Sequence, residues 1–148
     1  MENKTIIKVK SKTGRMPEYK TSGSAGADLR ACLDEPITLM PMERRLIPTG
    51  MWIELPDGME AQIRARSGLS INHGITMING VGTVDSDYRG EWNVPLVNLG
   101  TEPYTIEDGE RIAQAVFVRF EQAEFVLSDE INETERGAGG FGSTGKKE

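Results

Sequence analysis

Met59-Glu60-Ala61-Gln62-Ile63-Arg64-Ala65-Arg66 alternates apolar and polar residues without a break. Successive side chains of an extended chain point to opposite faces, so this stretch reads as a strand with one face buried and the other wet. The same period, less regular, continues on both sides. It predicts strands at 5–10, 27–31, 37–40 and 44–55 upstream, and at 81–85, 92–98, 103–106, 112–120 and 124–127 downstream. Pro56-Asp57-Gly58, Asn79-Gly80 and Glu107-Asp108-Gly109 separate these runs with turn chemistry, and Asn79-Gly80 reads as a hairpin. Only the residues after Ser67 suit a helix, of about one or two turns, with Ser67 or Ser70 as its cap. Many short strands with close turns predict an all-β fold: an antiparallel sandwich, a jelly roll or a distorted barrel, with one short helix.

The chain has 148 residues, the size of one domain. Its 17 Lys and Arg against 23 Asp and Glu leave a net charge of −6, which argues against nucleic acid as a partner, since a duplex or strand needs a broad basic surface. An anionic ligand must therefore be gripped locally. One Cys, Cys32, and one His, His73, exclude disulfide scaffolds, zinc fingers and a Cys/His deaminase zinc centre, so any metal must take oxygen ligands. No apolar run approaches the ~20 residues of a membrane span, and the first residues carry no apolar signal core. A soluble, cytoplasmic chain is expected. Cys32, Trp52, Trp92, Met42 and Met51 read as core, and His73 as a loop residue.

From Asn132 onward only Phe141 is large and apolar. A segment so poor in apolar surface cannot offset its ordering entropy, so the expected organisation is a β-domain over 1–131 and a mobile Gly-rich tail over 132–148. Gly137, Gly139 and Gly142 satisfy a dinucleotide-loop pattern, and Gly140, Gly145 and Lys146 approach a phosphate loop, yet neither follows a strand nor opens a helix. What remains is a tail with Arg136, Ser143 and Thr144 able to wrap an anion, and Phe141 able to stack on a ring.

Four further segments carry chemistry-bearing residues. In GSAGADLRA, 23–31, Asp28 sits among apolar neighbours, as a turn carboxylate or a ligand group. In ARSGLS, 65–70, Arg66, Ser67 and Gly68 lie where a strand ends, a plain helix cap or a meeting point for one phosphate. In NGVGTVDSDYRGEW, 79–92, Asp85 ends a short strand where it could orient and deprotonate a water, Asp87 shares its face if the chain stays extended, and Tyr88 offers a flat wall. In GERIAQAVF, 109–117, Gln114 interrupts an apolar run and needs a partner, backbone or ligand.

These five segments, in this order and spanning 23–145, resemble those of the trimeric dUTP pyrophosphatases (dUTPases). The resemblance implies a jelly-roll β-subunit in a homotrimer, with active sites at subunit interfaces and each tail closing over a site formed largely by other subunits. The implied reaction converts dUTP to dUMP and pyrophosphate. Asp85 would activate the attacking water, and Asp28 would reach Mg²⁺ through coordinated water. Arg66, Ser67, Gly68 and Gln114 would hold the α- and β-phosphates, with Arg111 in support, bracing Asp85 or the phosphates. Asn79 and the backbone to Val84 would read the uracil edge, and Tyr88 would pack under the deoxyribose. Arg136, Ser143 and Thr144, with Gly142 between Phe141 and Ser143, would hold the γ-phosphate while Phe141 covers the base. Two alternatives on the same fold are a dCTP deaminase and a non-catalytic nucleotide-sensing trimer. The intact VDSDY segment and the tail argue against both.

Overall fold

The computed structural model describes residues 4–147; residues 1–3 and 148, the outer ends of the expected domain and tail, lie outside the described residues. Two antiparallel sheets face each other across the core. One has the order β1 (Lys8–Ser11), β5 (Arg44–Glu54), β9 (Glu91–Asn98), β7 (Ile75–Met77). The other runs β2 (Glu18–Tyr19), β3 (Ala27–Arg30), β11 (Arg111–Arg119), β6 (Met59–Ala65), β8 (Gly82–Val84). A short ribbon of β4 (Ile37–Leu39) and β10 (Tyr104–Ile106) closes one end, and the single helix among the described residues, α1, spans Ser67–His73. This is the expected jelly roll.

The alternation in β6 does what its pattern requires: Met59, Ala61 and Ile63 are buried, while Glu60 and Gln62 turn outward. Ala61 and Ile63 join Leu29 from β3, Ile53 from β5, Val94 and Leu96 from β9, and Ala115 from β11 in one buried cluster. Alternation fails where ladders bulge. In β11 the register shifts between Arg111 and Ala113, so the adjacent Ile112 and Ala113 both face inward. In β5 the shift falls between Pro48 and Trp52, around Gly50 at φ 67°. No Cβ could stand there, because it would come within 2.8 Å of Cys32 Sγ.

Several expectations need correction. The first strand is Lys8–Ser11 rather than 5–10, and β2 and β7, too short to show a period, were not expected. Residues 124–127 form no strand, and Phe125, Val126 and Leu127 are largely exposed among the described residues. Among the described residues the last strand ends at Arg119. Asn79-Gly80 is a turn but not a hairpin, because β7 pairs with β9 and β8 with β6, so it carries the chain from one sheet to the other. Helix α1 has Arg66 as its N-cap and no side-chain cap bond, so neither Ser67 nor Ser70 caps it; the Ser70 hydroxyl donates instead to the Ile75 carbonyl. His73 lies in the last helical turn rather than a loop. Met42 is exposed at a left-handed turn position, not in the core, whereas Met51 and Trp92 are buried as expected. Trp52 and Cys32 are half-buried, and Lys10 Nζ lies 5.3 Å from the Trp52 ring centroid.

Candidate active site

The candidate residues gather in three places. The first is the end of β6 and the strands beside it. Gln114 stands between Asp28 on β3 and Arg64 on β6 in the ladder. Asp28, mostly buried, lies 3.4 Å from Arg111 Nη1 and 3.7 Å from Arg66 Nε. Arg66 also donates to the Arg111 carbonyl at 3.1 Å, which locks the two arginines around one carboxylate. Within the chain, the partner of Arg111 is thus Asp28. The Gln114 amide donates to the Ala65 carbonyl at 3.3 Å, so its partner within the chain is backbone. A side chain at Gly26 would overlap the Gln114 carboxamide, so the Ser-Ala-Gly-Ala-Asp stretch needs glycine there to leave that amide in place. Ser67 and Gly68 follow, exposed, as the first residues of α1, with amides that no side chain caps. Two guanidinium groups, a hydroxyl, an amide and backbone N–H groups on one small surface suit phosphate oxygens.

A cluster beneath this surface escaped the sequence. Tyr104 donates to Glu110 Oε1 at 3.0 Å, and the His73 ring lies 4.8 Å from the Tyr104 ring. Glu110 Oε2 is buried with no hydrogen-bond partner among the described residues. Burial, with Glu107 adding, pushes the Glu110 carboxyl above the usual carboxylate range, while the Tyr104 hydrogen bond, His73 and Arg66 oppose it. Burial and then Glu110 push the Tyr104 phenol up to about 12. The only sequence signal was the acidic residue inside GERIAQ.

The second place is a cleft of about 350 Å³ beside β8 and β9, lined in part by Asn79, Gly82, Val84, Asp85, Tyr88 and Trp92. Gly82 is tight because a Cβ would stand 3.3 Å from the Asn79 amide nitrogen. Asp85 follows β8 directly, then the chain turns: the Tyr88 N–H donates to the Asp85 carbonyl at 3.2 Å. The extended geometry that would place Asp87 on the Asp85 face does not continue. A larger cleft of about 770 Å³, lined by Ile7, Val9, Met16, Tyr19 and Phe117 among others, contains none of the candidate site residues.

The third place is the tail. Its hydrogen bonds, among the described residues, are local: Arg136 Nε donates to Gly139 O at 2.8 Å and Ser143 N to Gly140 O at 3.1 Å. Phe141 is fully exposed at φ 52°, and Gly142, Ser143 and Thr144 are exposed beside it. Within one chain, none of these residues lines the Asp85 cleft.

The three places do not form one site in one chain. Val84 pairs with Ala61, so Asp85 leaves β8 toward the Met59 end of β6, whereas Arg66 follows the opposite end. At ~3.3 Å per residue, Ala61 and Arg66 are roughly 16 Å apart along the strand.

For metal, no group of three or more His, Cys, Asp or Glu residues converges among the described residues. A single carboxylate, Asp28, beside two guanidinium groups suits a hard cation carried in on a polyphosphate, and Asp28 is the residue that would reach it.

A family model described as dUTPase matches residues 12–145. A deoxyuridine 5'-triphosphate nucleotidohydrolase of Treponema denticola is 64% identical over 130 residues, covering 88% of this chain and 90% of that protein. The Fusobacterium nucleatum protein of the same name is 56% identical over 144 residues, covering 97% and 99%. The dUTPase of Staphylococcus bacteriophage 80alpha, solved with dUpNHpp, superimposes with a TM-score of 0.86 at 28% identity, covering 97% of this chain and 100% of that one.

Proposed function

The chain belongs to the dUTPase family and is a dUTP diphosphatase, and from that premise we propose that Asp85 activates the attacking water in a site built from more than one copy of the chain. Asp85 stands exposed at the mouth of the Asn79–Tyr88 cleft, where a carboxylate can orient a water and take its proton. The water oxygen bonds to the α-phosphorus, the bond to the α–β bridging oxygen breaks, and pyrophosphate leaves. Asn79 and the backbone through Val84 read the uracil edge, and Tyr88 forms the wall under the deoxyribose. A hydrogen-bond readout of this kind separates bases far more sharply than apolar fit.

Arg66, Ser67, Gly68 and Gln114 hold the α- and β-phosphates, with donors aimed where charge develops on the leaving oxygen. Asp28 is kept in place by Arg66 and Arg111 and reaches Mg²⁺ through water. When bound, Mg²⁺ neutralises phosphate charge and stabilises the departing pyrophosphate. The tail residues Arg136, Gly142, Ser143 and Thr144 hold the γ-phosphate, and Phe141 covers the base.

The separation of Asp85 from Arg66 carries the shared-site reading. A water and the phosphorus it attacks must approach within about 3–3.5 Å, whereas the two groups leave opposite ends of β6 in one chain. A homotrimer in which one copy supplies the base cleft, a neighbour the phosphate surface and a tail the lid satisfies both demands. The bare Phe125, Val126 and Leu127 support the same assembly, since they lack cover in their own chain. No helix among the described residues is long and apolar enough to cross a membrane; we place the enzyme in the cytoplasm.

The test is incubation with each deoxynucleoside triphosphate and Mg²⁺, with product identification. We expect dUMP and pyrophosphate from dUTP alone, and strong slowing by EDTA. Ammonia release would install the deaminase alternative, and orthophosphate would remove attack at the α-phosphorus.

A further inference from the structure

The phenol of Tyr88 is anchored at its tip. Its hydroxyl donates to the Glu91 carbonyl at 3.0 Å, across the first residues of β9. The ring can lie in that place only because residue 90 has no side chain. A Cβ at Gly90 would overlap the Tyr88 hydroxyl and would stand 2.5 Å from Cζ and 2.9 Å from Cε1. Gly90 is absent from the glycines with positive φ, so space rather than backbone conformation calls for glycine here.

Further contacts hold the anchor. Glu91 Oε1 accepts from the Gly50 amide at 2.9 Å, which ties the start of β9 to the bulge in β5. On the outer side Arg89 Nη1 donates to the Ser86 carbonyl at 2.7 Å and the Tyr88 carbonyl at 3.2 Å, closing the turn that begins at Asp85. Arg89 Nη2 lies 3.9 Å from Glu54. The turn thus fixes one end of Tyr88 and the Glu91 carbonyl the other.

We propose that Gly90 is a specificity-determining residue of this enzyme: by leaving room for the Tyr88 hydroxyl to reach Glu91, it sets the position of the phenol face and thereby excludes ribonucleotides. The inference rests on Tyr88 being the wall under the deoxyribose. A surface that rejects one hydroxyl group must be held to within a fraction of an ångström, because a displaced ring opens the space that a 2′-hydroxyl needs.

The experiment measures kcat/KM for dUTP and UTP with the full-length wild type, Tyr88→Ala, Gly90→Ala, Tyr88→Phe and the double variant Tyr88→Ala/Gly90→Ala. The UTP/dUTP ratio should rise by about tenfold or more in Gly90→Ala and Tyr88→Ala. It should rise less in Tyr88→Phe, which keeps the ring and the backbone but loses the anchor. Adding Gly90→Ala to Tyr88→Ala should change the ratio no further, because the glycine acts only through the ring. An unchanged ratio in Tyr88→Ala would remove the sugar-wall reading and the inference with it. A raised ratio in Tyr88→Ala with no change in either Gly90→Ala or Tyr88→Phe would overturn the inference alone, as would an effect of Gly90→Ala that persists without the ring.

Discussion

Replacing Asn98 with Ala should destabilise the protein by several kcal/mol. Asn98 is fully buried at the end of β9. Its amide donates to the Leu39 carbonyl at 2.9 Å and the Glu102 carbonyl at 2.8 Å, and its oxygen accepts from the Gly100 amide at 2.8 Å. One side chain therefore joins the β4–β10 ribbon, the loop after β9 and, through Gly100, the end of α1. At that point a Cβ on Gly74 would stand 2.5 Å from the Gly100 nitrogen, and Leu99 N donates to Gly74 O at 2.9 Å. Alanine removes three bonds, one of them buried and two part-buried, at about 1–3 kcal/mol for each group left unpaired away from water. Water can reach the Glu102 side, which brings the expected total to about 3–5 kcal/mol. For a chain of this size each kcal/mol moves the melting temperature by about 2–4 °C, so a fall of roughly 10 °C is expected. The assay is thermal unfolding at fixed chain concentration, since the proposed assembly would link stability to concentration. Asn93→Ala, which removes an exposed amide bonded at 3.2 Å to the Glu91 carbonyl, serves as the control and should melt within about 2 °C of wild type. An Asn98→Ala protein as stable as that control would refute the reasoning.

Deleting residues 132–148 should leave the melting temperature nearly unchanged, because the described part of this segment contributes no buried apolar side chain, yet abolish efficient turnover of dUTP. Normal kcat/KM in the truncated protein would show that the tail is no lid. Phe141→Ala alone should cost about 1–3 kcal/mol of transition-state binding, read as a fall in kcat/KM, if the ring stacks on the base. Glu110 gives a pH signature: its folded-state pKa is raised above the ordinary 4.5, so the folded chain binds that proton more tightly, and the stability it contributes at low pH is lost as pH rises through the raised value. Glu110→Gln should therefore gain in melting temperature relative to the wild type between pH 4 and pH 7; a difference that stays constant over that range would contradict this.

The fold was legible wherever side chains alternate over a long run. MEAQIRA declares its buried face unaided, and the turn glycines at 58, 80 and 109 all adopt positive φ. It was illegible where an element is too short to show a period, as in Ile75–Met77, or where two elements are adjacent in sequence but pair elsewhere, as around Asn79-Gly80. The strand expected at 124–127 has suitable residues and no neighbour; pattern reports what a segment can bury, not which chain covers it. For the site, residue types left Asp28, Arg66, Asp85 and Gln114 open between turn, cap, backbone and ligand roles, and only the family resemblance attaches a function to each. Arg111 was legible as a participant but not its partner, which depends on the β3–β11 register. Glu110, Tyr104 and Gly90 were hidden because their importance lies in what stands next to them in space.

The shared site has a direct test in mixing two disabled chains. Asp85→Asn lacks the base and Arg66→Ala lacks a phosphate guanidinium, so each should be nearly inactive alone. Co-expressed in equal amounts and assorted at random around a ring, they restore a site wherever a chain with intact Asp85 faces a neighbour with intact Arg66. That arrangement occurs at about one site in four, so the mixture should regain roughly a quarter of the wild-type rate of dUTP hydrolysis. A mixture no more active than its two parents would place both groups in the same chain and contradict the account.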